Sequence, residues 1–475
     1  MHVRVLSDAQ IAKIHDASVQ ILCGTGFILP HQDARCSLAD KGATIDHKAQ
    51  RVYLPEKLIH QSLESCGRKF NIYGRDESAC ASFGSGLRNY NSIAGEAFWV
   101  DRIGEKRRQA VLADVSHAAR FVDKLSNVNI AGAMTDPSDV PVQTRCIEVF
   151  SALLSSTIKP VTFWFFDRKS ARYIVEMCIT TRGTEDKARD KPLCYPLLEP
   201  ISPLRFPFHG VDLLFETARL NMPVHIGPMA QMGASAPMSI AGTLALENAE
   251  ILAGVCVTQA IQEGMPVCYG GICHAFDMAT TQMIFGGPEQ AIFGVAMTEM
   301  GKHYGLPVYI NVGLTDSKRP DAQAGLEIGA TLILGAAAGA DIFGHLGICG
   351  VDQASSFDIL VLQNEIIDYV ESVQRNMDVT DALLGIDVVD SVGPGGSFLD
   401  SDHTAENFRD QLWFPKILDR EFYETWRRNG AKSIAEKCMD IKADVLSAPA
   451  AEPMSHTVVK ELNDIISASR RELIP

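Results

Sequence analysis

Short apolar runs and longer helical stretches alternate along the chain from about residue 128. The longer stretches, such as ENAEILAGVCVTQAIQEG, repeat apolar residues with the spacing of a helix. The short runs read as buried strands: NVNIAGAMT (127–135), KPVTFWFF (159–166), KPLCYPLLE (191–199), MPVHIG (222–227), MPVCYGG (265–271), LPVYINVG (306–313), ADIFGHLG (340–347) and GIDVVDSVG (385–393). Five of these runs have a proline directly before the apolar residues, which marks a strand start because proline is excluded from strand interiors.

Eight strand-plus-helix units at this spacing predict a TIM (β/α)8 barrel. A doubly wound open sheet is the competing α/β arrangement. The barrel is favoured because the count reaches eight and no Gly-x-Gly-x-x-Gly follows the first strand. The predicted organisation is a mixed N-terminal extension at 1–115 packed on the barrel, the barrel at 116–396, and a C-terminal helical segment at 397–475.

Charge and composition narrow the possible partners. The 475 residues carry a net charge of −15, which argues against nucleic acid and anionic membranes as partners. The start, MHVRVLSDAQIAKIHDASVQIL, reads as an amphipathic helix and not a signal peptide, and no apolar stretch reaches the roughly 18 residues of a membrane helix. The twelve cysteines are scattered without C-x-x-C pairs, as expected for reduced thiols. We therefore expect a cytoplasmic protein.

Polar and aromatic residues follow several of the predicted strands. In parallel α/β folds, ligands bind at the carboxyl ends of the strands. The residues found at these ends are Asp136, Trp164, Phe165, Phe166, Tyr195, Glu199, Tyr269, Asn311, Asp316 and His345. Many of them are aromatic, although only 7% of the chain is. Rings around a pocket attract quaternary ammonium ions by about 0.5–2 kcal/mol each; the alternative is that the rings fill the barrel core.

Each candidate for chemistry at these ends has a structural alternative. His345 is a candidate acid, base or carboxylate ligand, or it packs beneath the following loop. Asp316 either caps the next helix or faces a ligand. Lys318 lies in a polar loop, unlike the strand lysines that form Schiff bases in barrel aldolases. No metal site is predicted, because Cys273-His274 and His345-x-x-x-Cys349 lack the ligand count of a zinc site.

Three stretches carry a family resemblance that extends over essentially the whole chain. They are TDSKRPDAQAGLEIGATLILGAAAGADIFGHLG, GPGGSFLDSDHTAENFRDQLWFPKILDREFYETW and MPVCYGGI. With these segments the chain resembles the trimethylamine methyltransferase (MttB) family. The resemblance implies a TIM barrel enzyme that passes a methyl group from a methylated amine to the cobalt of a partner corrinoid protein. The chain has only standard residues, so it looks like the branch without pyrrolysine, whose members demethylate quaternary amines.

The resemblance implies glycine betaine as the first candidate substrate, with proline betaine, carnitine and γ-butyrobetaine as alternatives. A quaternary nitrogen is already a cation, so loss of a methyl group to Co(I) releases a neutral tertiary amine and leaves methylcob(III)alamin. Positioning is then the main contribution expected of the enzyme. No histidine has Asp two residues before it and Gly three after it, as the cobalamin-binding D-x-H-x-x-G pattern requires. The corrinoid cofactor is therefore expected to arrive on another protein.

Residue type and strand-end position give the predicted site. The ring box around the trimethylammonium group comprises Tyr90, Phe98, Trp164, Phe166, Tyr195 and Phe357, with Tyr269 as a further substrate-binding candidate. Asn91, Asn311 and His345 are placed at the carboxylate end, and Glu199 and Asp316 at the mouth; the catalytic candidates are His345, Asp316 and Glu199.

Two other functions compete with methyl transfer. A barrel lyase or aldolase would need a lysine within a strand, and only Lys159 and Lys191 come near, both at strand starts. The alternative that is not an enzyme is a betaine-binding protein.

The helical tail and the apolar N-terminal segment favour a homo-oligomer.

Overall fold

Eight short parallel strands form a closed barrel in the computed structural model, which describes residues 1–449 and 453–475. In chain order they are β1 (Asn89–Ser92), β2 (Ala131–Gly132), β3 (Val161–Thr162), β4 (Leu197–Leu198), β5 (Val224–Ile226), β6 (Val267–Gly271), β7 (Val308–Ile310) and β8 (Ile342–Leu346). Six strands form one sheet in the order β4-β5-β6-β7-β8-β1, and β2 pairs with β3. A parallel bridge between Asn91 and Ile130 and a hydrogen bond from the Val161 N–H to the Leu193 carbonyl (3.2 Å) join the two sheets. The predicted TIM barrel is confirmed.

The strand predicted at 385–393 is wrong. Its residues form the helix Ile386–Val392, in which no residue is buried. The missing strand is β1, which lies upstream in the polar sequence NYNS and pairs with β8. All four β1 residues are buried, and tertiary hydrogen bonds hold Asn89, whose amide donates to the carbonyls of Ser82 (2.8 Å) and Asp341 (3.0 Å). The barrel therefore starts inside the segment that the sequence assigned to the N-terminal extension.

Each strand is followed by at least one helix on the outside of the barrel. In chain order these are Leu112–Asp123, Arg145–Ser156, Arg168–Arg182 with Glu185–Asp190, Phe208–Asp212 with Leu214–Thr217, Ile240–Ile261, Pro288–His303, Ala322–Ala338 and Phe357–Gln374. The 22-residue helix Ile240–Ile261 is long and apolar enough to cross a membrane by composition, and 83% of its most apolar window is buried. Its contacts with the helices Asp8–Gln20, Gln32–Asp40 and Glu56–Ser65 explain this composition, because a helix covered on all sides is apolar all round.

The N-terminal extension closes the lower end of the barrel. It contains the three helices just named, an antiparallel sheet of Phe27–Ile28, Thr44–Asp46 and Arg51–Tyr53, and a hairpin of Phe70–Tyr73 and Cys80–Phe83. Hairpin residues Ile72, Ala81 and Phe83 pack against side chains inside the barrel. The Tyr73 N–H donates to the carbonyl of Pro192 (2.8 Å) at the start of the β4 segment. Only the carboxyl end of the barrel is therefore left for a ligand.

The C-terminal part divides into an exposed arm and two packed helices. The arm helices Asp381–Leu384, Ile386–Val392, Asp402–Gln411 and Tyr423–Arg428 bury no residue, and Leu399 and Phe422 are 91% and 90% exposed. The helices Ile434–Ser447 and His456–Leu473 return to the barrel. Lys442 pairs with the buried Asp358 (2.8 Å), and Arg470 pairs with Glu148 (2.6 Å).

Lys159 fixes the start of β3 and gives a test of the fold. Its ammonium group donates to the carbonyls of Val122, Leu125 and Val128 at 2.7–2.8 Å. We expect Lys159→Met to lower the free energy of unfolding by about 3 kcal/mol, because three buried carbonyls lose a charged donor. Urea unfolding measures the change, with the exposed Lys169→Met as control. Equal effects of the two substitutions would contradict this role of Lys159.

Candidate active site

The loops that follow β3, β4 and β5 enclose a cavity of about 690 Å³ at the open end of the barrel. Trp164, Phe165 and Phe166 form one wall, and Glu199, Met229 and Gln231 contribute to the rest. The Trp164 indole N–H donates to the carbonyl of Gly95 (3.0 Å), which fixes the orientation of the ring. This wall consists of half-buried aromatic faces, a surface suited to a cationic ligand.

Three carboxyl groups lie at this mouth: Glu96, Glu199 and Asp352. Burial, reinforced by the neighbouring Asp352, raises the pKa of Glu96 to about 9, and the two side chains are hydrogen-bonded to each other. Burial followed by the charge of Asp352 raises the pKa of Glu199 to about 7. Burial also raises the pKa of Asp352. None of the three forms a salt bridge within residues 1–449 and 453–475, and near neutral pH Glu96 is mainly protonated and Glu199 partly ionised.

The barrel interior below the mouth is polar. The Asn91 Oδ1, His225 Nε2 and Asn311 Oδ1 atoms are buried without a hydrogen-bond partner. The His225 ring lies on Tyr309 with centroids 4.1 Å apart, and Tyr309 also contacts His345 at 5.6 Å. Burial lowers the pKa of His225 to about 3 and that of His345 to about 4. Both imidazoles are therefore neutral at physiological pH, and neither supplies a positive charge to a bound carboxylate.

Left-handed backbone conformations cluster around the mouth. His345, Val351 and Asp352 have φ angles of 66°, 60° and 53°, and Met134 on the adjoining loop has 57°. A β-branched residue such as Val351 rarely adopts this conformation. Each such residue costs about 1–3 kcal/mol and persists where the surrounding structure holds it, typically at functional sites. Among these residues, Asp352 is hydrogen-bonded to Glu96 and lies close enough to Glu199 to affect its pKa.

The structure brings some of the predicted site residues together. Trp164, Phe166 and Glu199 line the mouth cavity, and Asn91, Asn311 and His345 lie in the barrel beneath it. Tyr195 lies lower in the barrel, with its ring centroid 6.1 Å from that of His225 and 6.2 Å from that of Phe83. Phe98 lies in the small sheet beside the mouth, where the Arg107 guanidinium covers its ring at 4.5 Å.

Two predicted ring-box residues, Tyr90 and Phe357, and the further candidate Tyr269 face away from the mouth. The Tyr90 hydroxyl donates to Glu371 (2.5 Å) and the Tyr269 hydroxyl to Asn248 (2.8 Å), both on outer helices. Phe357 begins the last barrel helix and stacks on Phe121 with centroids 4.0 Å apart. Successive strand residues point to opposite faces, so Tyr90 and Tyr269 point outward where their neighbours point inward. All three lie outside the lining of the mouth cavity.

Asp316 anchors a loop. Its carboxylate accepts the N–H groups of Phe285 (2.9 Å) and Gly286 (3.2 Å), and burial raises its pKa. The next helix is capped by Asp321, whose carboxylate accepts the Ala324 N–H (3.0 Å). Asp316 therefore does not cap the next helix, and it lies outside the lining of the mouth cavity.

Sequence reasoning missed Glu96, Asp352 and His225. Glu96 stands in the otherwise apolar run IAGEAFWV, and His225 stands in the middle of the apolar strand MPVHIG. A polar residue inside such a run indicates a candidate functional residue, because burying a charge or an imidazole is costly and such groups cluster at functional sites. Asp352 gives no comparable signal, since it lies in a loop.

Comparisons with known proteins agree with this architecture. The sequence profile of the family described as trimethylamine methyltransferase (MTTB) matches residues 1–474. Trimethylamine methyltransferase MttB of Desulfitobacterium hafniense strain DCB-2 is 26% identical over 466 residues, covering 98% of this chain and 94% of that protein. Glycine betaine methyltransferase of strain Y51 of the same species is 28% identical over 426 residues, covering 89% and 88%.

Among solved structures, monomethylamine methyltransferase MtmB of Methanosarcina barkeri aligns with a TM-score of 0.49 and 10% identity, covering 96% of this chain and 92% of that one. The family profile spans all but the last residue, and the resemblance drawn from the sequence is confirmed. The chain belongs to the trimethylamine methyltransferase family.

Proposed function

We propose that this methyltransferase moves a methyl group from a quaternary amine to the corrinoid of a partner protein. The observation that carries the proposal is the aromatic cavity at the open end of the barrel, where Trp164, Phe165 and Phe166 face Glu199. Aromatic faces attract a methylated ammonium ion without pairing it to a full counter-charge. Because the charge on nitrogen disappears as the methyl group leaves, a weakly held cation is the better starting state.

The partly protonated carboxyls fit this requirement. With a pKa of about 7, Glu199 carries part of a charge near neutrality, and Glu96, with a pKa of about 9, is mainly neutral. This chain's residues bind and orient the methyl donor, and the partner's Co(I) corrinoid supplies the nucleophile. The hairpin closes the lower end of the barrel, so the partner has to dock at the mouth.

Cation binding should depend on pH through Glu199. Its pKa is raised to about 7, so the carboxylate form grows as the pH rises from 6 to 8. We expect the Kd for tetramethylammonium to fall about fivefold over this range, equivalent to about 1 kcal/mol of added attraction. Calorimetric titration measures it, and Glu199→Gln should flatten the profile. An unchanged profile in the variant would assign the dependence to Asp352 or Glu96.

The raised pKa of Glu199 also affects the stability of the free protein, which falls as the pH rises while cation binding strengthens. A carboxyl whose pKa is raised on folding, here from 4.5, stabilises the fold fully below that value and loses this contribution as the pH rises through about 7. Binding and stability should therefore change in opposite directions with pH.

Methyl transfer itself is tested by mixing the protein with a quaternary amine and reduced cob(I)alamin. Glycine betaine is the reference donor because a relative carries its name, with proline betaine, carnitine and γ-butyrobetaine alongside. The expected result is protein-dependent conversion to methylcob(III)alamin and release of one tertiary amine per methyl group. Binding of a donor without conversion would indicate the betaine-binding alternative, and neither binding nor conversion would overturn the proposal.

Assembly and location are part of the proposal. The exposed apolar arm, with Leu399 and Phe422 about nine-tenths exposed, supports a homo-oligomer that covers it. Sedimentation of the protein tests this, with a monomer as the contradicting result. A cytoplasmic location agrees with the reduced cysteines, ten of which are buried or half-buried.

A further inference from the structure

The charge pattern of the mouth cavity distinguishes between kinds of quaternary amine. Zwitterionic betaines carry a carboxylate, whereas an alcohol such as choline ends in a neutral hydroxyl. Proteins hold a ligand carboxylate with arginine or lysine, whose charge-assisted hydrogen bonds are about twice as strong as neutral ones. The described lining of the cavity contains Glu199 and the exposed His209 but neither an arginine nor a lysine.

Three basic side chains on the surrounding loops have partners of their own, while Arg205 is exposed and outside the cavity lining. Arg145 pairs with Asp136 (2.8 Å), and Lys318 donates to the carbonyl of Asp316 (2.6 Å). Arg107 covers the Phe98 ring and donates to Gln353 (2.7 Å), outside the cavity lining. The histidines below the mouth are neutral, because burial lowers their pKa values to about 3 or 4.

Acidic and neutral polar groups fill the place that a carboxylate anchor would need. Glu96 and Asp352 add two carboxyls beside Glu199, so a ligand carboxylate there would be repelled by the partly ionised Glu199 and would find no cation among these groups. The cavity wall also offers the amide of Gln231 and the hydroxyl of Ser235. Beneath it, the buried Asn91 Oδ1 and Asn311 Oδ1 lack partners and can accept a hydrogen bond from a donor group.

We propose that the methyl donor is a quaternary ammonium ion whose remaining substituent is uncharged and bears a hydroxyl, with choline as the simplest example. The inference rests on the proposed methyl transfer and narrows its substrate. The N–CH3 bond breaks with its electrons on nitrogen, giving neutral dimethylaminoethanol. The electron pair of the partner's Co(I) forms the new cobalt–carbon bond, so no proton is taken up or released in the step.

Choline and glycine betaine make a matched pair for the test, since both carry a trimethylammonium group next to a short chain. We expect kcat/KM for methylation of cob(I)alamin to be at least tenfold higher with choline. Glu199→Lys should reverse the preference, and Glu199→Gln should reduce it if the lysine variant does not fold. Glu263→Gln, at an exposed site paired with Lys41 (3.0 Å), serves as the control.

The outcomes separate this inference from the proposed function. A higher rate with glycine betaine would overturn the inference and leave the quaternary-amine methyltransferase standing. If no donor methylates the corrinoid, the methyltransferase proposal fails, and calorimetric binding still decides the charge preference. Tighter binding of choline than of glycine betaine would then support the uncharged substituent, and equal or weaker binding would overturn it.

Discussion

Replacing Gly344 by alanine is expected to lower the free energy of unfolding by about 3 kcal/mol, at the upper end for an overpacked core. A methyl group at this position would lie 1.4 Å from the Tyr309 hydroxyl oxygen and 1.8 Å from the Tyr309 Cζ. Tyr309 is fully buried in the barrel, with its ring centroid 4.1 Å from that of His225, so moving the ring away would disturb buried neighbours. Denaturant unfolding followed by circular dichroism measures the loss.

A second substitution shows whether Tyr309 is the cause. Tyr309→Phe keeps the ring carbon at 1.8 Å, so Gly344→Ala should remain as damaging in that background. Tyr309→Leu removes the outer ring atoms and should recover about 2 kcal/mol of the loss as a coupling energy. Equal effects of Gly344→Ala in the two backgrounds would locate the strain elsewhere in β8.

Replacing Trp164 by alanine is expected to have the largest effect on activity, with kcat/KM for the quaternary amine falling about 30-fold, or about 2 kcal/mol. The ring lines the mouth cavity and is held by the hydrogen bond from its N–H to the Gly95 carbonyl. Removing it takes away both the attractive face and one wall of the cavity. Steady-state methylation of cob(I)alamin measures the change.

Matched variants separate cation binding from general damage. Trp164→Phe keeps a ring and should lose less activity than Trp164→Ala. Trp426→Ala alters a half-buried tryptophan in the C-terminal arm and should leave kcat/KM unchanged. If Trp164→Ala acted equally on binding of tetramethylammonium and of its neutral analogue neopentane, the ring would be a packing residue and not a cation site.

Much of the barrel could be predicted from the sequence because the signals are local. Seven strands follow from apolar runs, and proline marks where five of them start. β1 could not be predicted in this way, since Asn89, Asn91 and Ser92 look like a loop and are strand residues only through partners far along the chain. The Tyr90 N–H, for example, is held by the side chain of Asn129 (2.7 Å).

The site could be predicted by position but not by orientation. Trp164, Phe166 and Glu199 reach the mouth because they follow strand ends. Tyr90 and Tyr269 point to the outer helices because side chains alternate with a period of two, and the phase of that alternation depends on which neighbour packs against each face. Glu96 and Asp352 meet only through the folding of two separate loops, so no local pattern joins them.

The pairing of β1 with β8 also affects how the chain folds during its synthesis. About 250 residues separate the two strands, so at about 5–20 residues per second a ribosome needs roughly 10–50 s between them. During that interval β1 has no β8 edge to pair with. An apolar strand left in this way would invite aggregation, whereas NYNS exposes amides and hydroxyls that water solvates well. The polarity that hides this strand from hydrophobic pattern analysis thus keeps the nascent chain soluble until its last barrel strand emerges.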